Sequence, residues 1–209
     1  MKNKLASLFA ITGLALAATQ AQADSLVDGS IEDGKAKSLT CTACHGPEGN
    51  SVSPMWPNIA GQNAPYLLAQ LEAFKEGSRT DPLMSAQAMM LSDQDMADLA
   101  VYFESLPAAA QSVKDASTVS RGEALYRGGN IESGVSACLA CHGPTGRGNP
   151  AAKYPALQGQ HADYTAKQLN DYASGARATD GKTRMMRDIA GRLSKEDIAA
   201  LSSYVQGLK

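Results

Sequence analysis

The segment Cys-x-x-Cys-His-Gly-Pro occurs twice, at Cys41 to Pro47 and at Cys138 to Pro144, 97 positions apart. The match continues downstream. Pro57, Gly61, Gln62, Tyr66, Gln70 and Leu71 recur as Pro155, Gly159, Gln160, Tyr164, Gln168 and Leu169, and Gly77 and Arg79 as Gly175 and Arg177, now at an offset of 98. After four further inserted residues the offset becomes 102, pairing Ser92, Asp95, Leu99 and Tyr102 with Ser194, Asp197, Leu201 and Tyr204. Stacked repeats have periods of roughly 20–50 residues, so this longer period marks a duplicated domain. Two domains are expected, at 24–110 and 117–209, joined by a linker at about 107–116 where Pro107 to Ser112 breaks the helical pattern.

Each half reads as all-α. Residues 30–42 and 118–128 predict a helix leading towards the cysteine motif, and 64–76 and 162–174 predict the next, from apolar residues at helical spacing. Ser92 and Ser194 each stand three positions before an aspartate, Asp95 and Asp197, and just before an apolar run. That pattern is the signature of a capped final helix. No strand pattern emerges.

The first residues have another purpose. Lys2 and Lys4, the apolar run Leu5 to Ala18 and the triplet Ala21-Gln22-Ala23 form a secretory signal, with residues 1–23 removed by cleavage after Ala23. No later stretch is apolar for long enough to span a bilayer, so no transmembrane segment is expected in the mature chain. Charge divides unevenly. Residues 24–116 hold 13 acidic and 5 basic side chains, residues 117–209 hold 8 acidic and 12 basic. The basic residues are scattered, which does not support a nucleic-acid partner.

Aromatic residues make up only 5% of the chain, little for two small domains to build cores around. A large buried prosthetic group would supply the difference. The motifs specify one: two cysteines three positions apart reach the two vinyl groups of a haem, and the adjacent histidine is placed under the iron. Cys41, Cys44, Cys138 and Cys141 are therefore expected to hold two covalent haem c groups, one per domain, with His45 and His142 as iron ligands. A disulfide within each pair would leave the histidine unexplained. A zinc site would have to pool both motifs, and a thioredoxin-like pair would need a βαβ pattern that is absent.

The sixth ligand comes from a short roster. The third histidine, His161, is replaced by Asn63 in the first half, so it reads as a residue at the surface or haem edge near a helix start. Methionine remains, and the second half offers only Met185 and Met186. Met84 and Met186 each stand seven positions before the equivalent Leu91 and Leu193, which favours them; Met185 stays the alternative. Met89, Met90 and Met96 pair with Gly191, Arg192 and Ile198, and are read as core or surface. His/Met ligation closes both axial positions, which suits electron transfer over catalysis at the iron. The carbonyls of Pro57 and Pro155 are candidates to accept the histidine Nδ1 proton. Arg79, Arg177, Trp56, Tyr154, Tyr66 and Tyr164 either meet haem propionates or pack the fold.

The duplicated Cys-x-x-Cys-His, the Pro-x-x-x-Gly-Gln-x-x-x-Tyr segments at Pro57 to Tyr66 and Pro155 to Tyr164, and Gly-x-Arg followed by Met resemble the dihaem cytochrome c4 family. The resemblance covers essentially the whole mature chain. It implies two tandem class I cytochrome c domains with both haems His/Met ligated, Met84 and Met186 matching the family's ligand methionines. It implies a periplasmic carrier, not an enzyme, that takes single electrons from a respiratory donor and delivers them to a terminal oxidase or similar acceptor. Association with the membrane would then be peripheral. A dihaem peroxidase or thiosulfate dehydrogenase is the competing class. It is disfavoured because no fifth cysteine exists and His161 is the sole spare histidine. The haem subunit of a larger dehydrogenase is a third reading, since carriers and subunits share this fold.

Overall fold

The computed structural model describes residues 26–209, so the expected signal peptide and its cleavage point lie outside the described residues. The first half holds α1 (Ile31–Lys37), α2 (Leu39–His45), α3 (Ala64–Glu76), α4 (Pro82–Met89) and α5 (Asp93–Ser105). The second repeats them as α6 (Val119–Gly128), α7 (Leu139–His142), α8 (Ala162–Ser174), α9 (Met185–Ala190) and α10 (Lys195–Gln206). In each half the first and third helices lie against the last, and the fourth lies on the third. Among the described residues the only β pairing is two isolated bridges, Asn130 with Val135 and Asn149 with Tyr154.

Local chemistry sets these boundaries. Both expected capping boxes form: Ser92 and Ser194 accept from the Asp95 and Asp197 amides while each aspartate accepts from its serine amide. α3 and α8 span the predicted residues and stop at Gly77 and Gly175, both left-handed at φ +80°. The helix expected over 30–42 is divided. Ser38 turns its hydroxyl and amide onto the Lys35 carbonyl, ending α1, and α2 then carries the cysteine motif.

The crossing of first and last helix uses a repeated glycine. A Cβ on Gly34 would lie 2.1 Å from the Asp98 carbonyl oxygen, and one on Gly122 2.4 Å from that of Ala200. Gly34 and Gly122 are 88 apart, whereas the cysteine motifs are 97 apart. The extra nine residues form a turn between α6 and α7, closed by the Asn130 and Val135 bridge.

Each domain has its own apolar clusters. Leu99, Tyr102 and Phe103 gather Cys41, Ile59 and Leu91; Val27, Ala64, Ala97, Ala100 and Val101 form a neighbouring group. In the second domain Leu125, Tyr126, Leu201, Tyr204, Val205 and Leu208 gather Cys138, Leu139 and Leu157. The contact between the domains is polar instead. Residues 107–115 thread past it, so close that a Cβ on Gly159 would meet the Ala109 carbonyl oxygen at 2.0 Å and one on Gly61 the Ala108 Cβ at 2.8 Å. Both glycines are also left-handed, at φ +65° and +66°.

Candidate haem-binding sites

The final turn of α2 presents Cys41, Cys44 and His45, and α7 presents Cys141 and His142 directly after Cys138. Gly46 and Gly143, at φ +82° and +78°, end each helix one residue past the histidine. Both histidines are 7% exposed, and their Nδ1 atoms lie 2.8 Å from the Pro57 carbonyl and 2.9 Å from the Pro155 carbonyl. A carbonyl oxygen only accepts, so each Nδ1 carries the proton and Nε2 keeps its lone pair for a metal. Burial pushes both imidazoles below their ordinary pKa, against the opposing pull of the proline carbonyl. They are neutral at pH 7, as ligation requires.

The cysteines are half-buried, and none is in a disulfide. Burial raises the Cys41 thiol and pushes Cys138 up to about 11. Redox-active Cys-x-x-Cys pairs have a depressed thiol pKa, so these thiols are poor candidates for that chemistry.

The methionines lie in different surroundings. Met84 is half-buried on α4, whose N-terminus is capped by Asp81 accepting from the Leu83 and Met84 amides. Met186 is half-buried at the second position of α9. The Met185 sulfur already has a partner, the Tyr154 hydroxyl at 3.8 Å. Met96 is core at 2% exposed, and Met89 and Met90 are at the surface.

Several residues take part in the domain contact. His161 is not at the surface: it is buried, and its Nε2 meets the Ser51 carbonyl of the first domain at 2.9 Å. Its counterpart Asn63 reaches the opposite way, donating to the Arg147 and Tyr154 carbonyls. Arg79 donates to Gln70 in its own domain and to Tyr164 and Gln168 across the boundary. Arg177 mirrors it with Gln168, Tyr66 and Gln70. These six residues thus form one network spanning both domains. None of these hydrogen-bond partners of the two guanidiniums is a carboxylate, although Arg177 is only 4% exposed. A cation as buried as Arg177 fits a carboxylate-bearing prosthetic group, whereas Arg79 is half-buried. Trp56 is 38% exposed, while the Tyr154 ring lies 6.3 Å from that of His142. Sequence repetition marks Gln62 and Gln160 without giving them a role; the structure buries both between the domains.

Comparison with known proteins gives the family. The family model for cytochrome c matches residues 31–107 and again 119–209. A cytochrome c4 from Pseudomonas aeruginosa is 48% identical over 198 residues, covering 95% of this chain and 93% of that protein. The chain belongs to the cytochrome c4 family. The crystal structure of reduced recombinant cytochrome c4 from Pseudomonas stutzeri superposes with a TM-score of 0.84 at 46% identity, covering 87% of this chain and 100% of that one. A more distant relative, the thiosulfate dehydrogenase electron acceptor of Stutzerimonas stutzeri, is 34% identical and covers 79% of this chain and 77% of its own. As a member of the cytochrome c4 family the chain is a dihaem c-type electron carrier with two tandem cytochrome c domains and two haem c groups. No helix among the described residues is long and apolar enough to cross a membrane.

Proposed function

We propose that Cys41 and Cys44 hold one haem as thioethers, and Cys138 and Cys141 the other. His45 with Met84 would ligate one iron, and His142 with Met186 the other. Each haem supplies a one-electron Fe(III)/Fe(II) couple. The observation that carries this reading is the matched pair of Nδ1 contacts to Pro57 and Pro155, which orients each Nε2 lone pair as an iron ligand needs. Domain limits at 24–110 and 117–209, with export to the periplasm after cleavage at Ala23, complete the assignment.

A histidine and a methionine offered to each iron would leave no position there for a substrate, which suits passing electrons one at a time between partner proteins. A membrane-bound terminal oxidase is the proposed acceptor. The likeness to a thiosulfate dehydrogenase electron acceptor favours a second donor, a thiosulfate-oxidising enzyme. An optical redox titration with haem quantification tests the assignment. Two haems per chain and no stoichiometric carbon monoxide binding by the reduced protein at neutral pH are expected; stoichiometric binding would refute it. Reduction by thiosulfate alone would point to an enzyme, and reduction only in the presence of a partner enzyme to a carrier.

A further inference from the structure

Gln62 and Gln160 each grip the backbone of one residue of the opposite domain. Gln160 Oε1 accepts from the Asn58 amide at 2.9 Å and its Nε2 donates to the Asn58 carbonyl at 2.8 Å. Gln62 does the same to Ala156, at 2.8 Å and 2.9 Å. Asn58 and Ala156 occupy equivalent positions, each directly after the proline whose carbonyl accepts from the proximal histidine. The Pro57 carbonyl and the Asn58 amide are therefore two ends of one peptide group.

A continuous chain results: Gln160 Oε1, the Asn58 N–H, the Pro57 C=O, the His45 Nδ1–H. The second runs through Gln62 Oε1, the Ala156 N–H, the Pro155 C=O and the His142 Nδ1–H. Accepting at the N–H end of an amide polarises its C=O and makes it a stronger acceptor, so hydrogen bonds in such chains reinforce one another. Both glutamines are buried, at 7% and 8% exposed, where that polarisation is least screened. A stronger acceptor at Nδ1 makes the imidazole a more basic ligand, and a more basic ligand favours ferric iron.

We infer that Gln160 is a positioning residue for the first domain's haem ligand His45, and Gln62 for the second domain's His142, so that each domain lowers the potential of the other's haem. The inference rests on the assignment of the two histidines as iron ligands.

Redox titration of the complete dihaem protein, followed by NMR so that each haem reports separately, tests it. Gln160→Met removes the acceptor at similar volume. It should raise the first haem's potential by about threefold to tenfold in the reduced-to-oxidised ratio, the range one net hydrogen bond carries; tenfold corresponds to 59 mV for one electron. The second haem should move less than half as far. Gln62→Met should give the mirror result. Gln160→Glu, which restores an Oε acceptor, should return the first haem to its starting value or below. Equal shifts at both haems would indicate a merely loosened interface and overturn the inference, as would a shift confined to the glutamine's own domain or no shift. The ligand assignment is read on the same samples from the His45 and His142 Nδ1–H resonances, which ferric iron displaces strongly only when those rings ligate it. Undisplaced resonances refute the assignment; displaced resonances with uncrossed potentials refute only the cross-domain effect.

Discussion

At the scale of single residues, the sharpest choice lies between two adjacent methionines. Four residues inserted after Arg177 place a short 3-10 turn, Gly181–Thr183, before α9. Asp180 then anchors that helix by accepting from the Arg187 amide and guanidinium. Within this frame Met185 meets Tyr154, which supports Met186 as the proposed iron ligand. Met186→Ala should open the second haem, seen as stoichiometric carbon monoxide binding to the reduced protein and a fall in that haem's potential. Met185→Ala should leave both readouts near their starting values. The opposite pattern would exchange their roles. Counting along the repeat already favoured Met186, but only the Tyr154 contact gives Met185 a separate occupation. His161 was less legible. A histidine paired with an asparagine carries no pattern, and its burial arises from a carbonyl 110 positions away.

At the scale of helices, the two halves brace the same crossing differently. Asp98 on α5 is 1% exposed and accepts from the Ser30 amide, Gln94 and Lys37, tying α1 to α5. The second domain has Ala200 at that position and keeps only the ion pair one turn away, Arg121 with Asp197, whose counterpart in the first domain is Lys37 with Asp95. Because the repeat does not preserve Asp98, nothing in the sequence signals it. Asp98→Asn should destabilise the first domain by about 2 kcal/mol, the scale of a hydrogen bond to a charged group, measurable by denaturant titration. The Lys37 ammonium, then the Ser30 amide, hold the Asp98 carboxyl below its ordinary pKa. A depressed folded-state pKa gives stability that is present above the unfolded value near 4 and lost as pH falls through the folded one. The acid unfolding slope below about pH 4 should therefore be shallower in Asp98→Asn than in the parent protein.

At the scale of the whole molecule, charge and contact act on the two haems together. The first half carries an excess of acidic side chains and the second an excess of basic ones. An acidic surround stabilises ferric iron, so the first domain's haem should have the lower potential of the pair. Titrations with Met84→His and Met186→His, each marking one haem, would assign the values, and the gap should narrow as added salt screens surface charge. A higher potential at the first haem would refute the electrostatic ordering. The Arg79 and Arg177 network and the two glutamine grips hold the domains through directional polar bonds more than through a shared apolar core. Directional bonds of this kind specify one relative orientation.

The sequence alone determined the duplication, and within each half the all-α class, the capped final helix and the Cys-x-x-Cys-His triplet, because these last three rest on residues close together in the chain. Helical spacing, capping boxes and Cys-x-x-Cys-His are local geometry, and repetition makes them visible twice. Tertiary structure decided what joins the halves. Asn58 and Gln160 are 102 positions apart, and although Gln160 recurs within the Pro-x-x-x-Gly-Gln-x-x-x-Tyr segment, nothing in that pattern names its partner. Only folding brings a glutamine of one domain onto the peptide whose other end holds the histidine of its neighbour. Arg79 and Arg177 became parts of one shared network for the same reason: their partners across the boundary lie 85 to 111 positions away, a separation at which no local pattern survives.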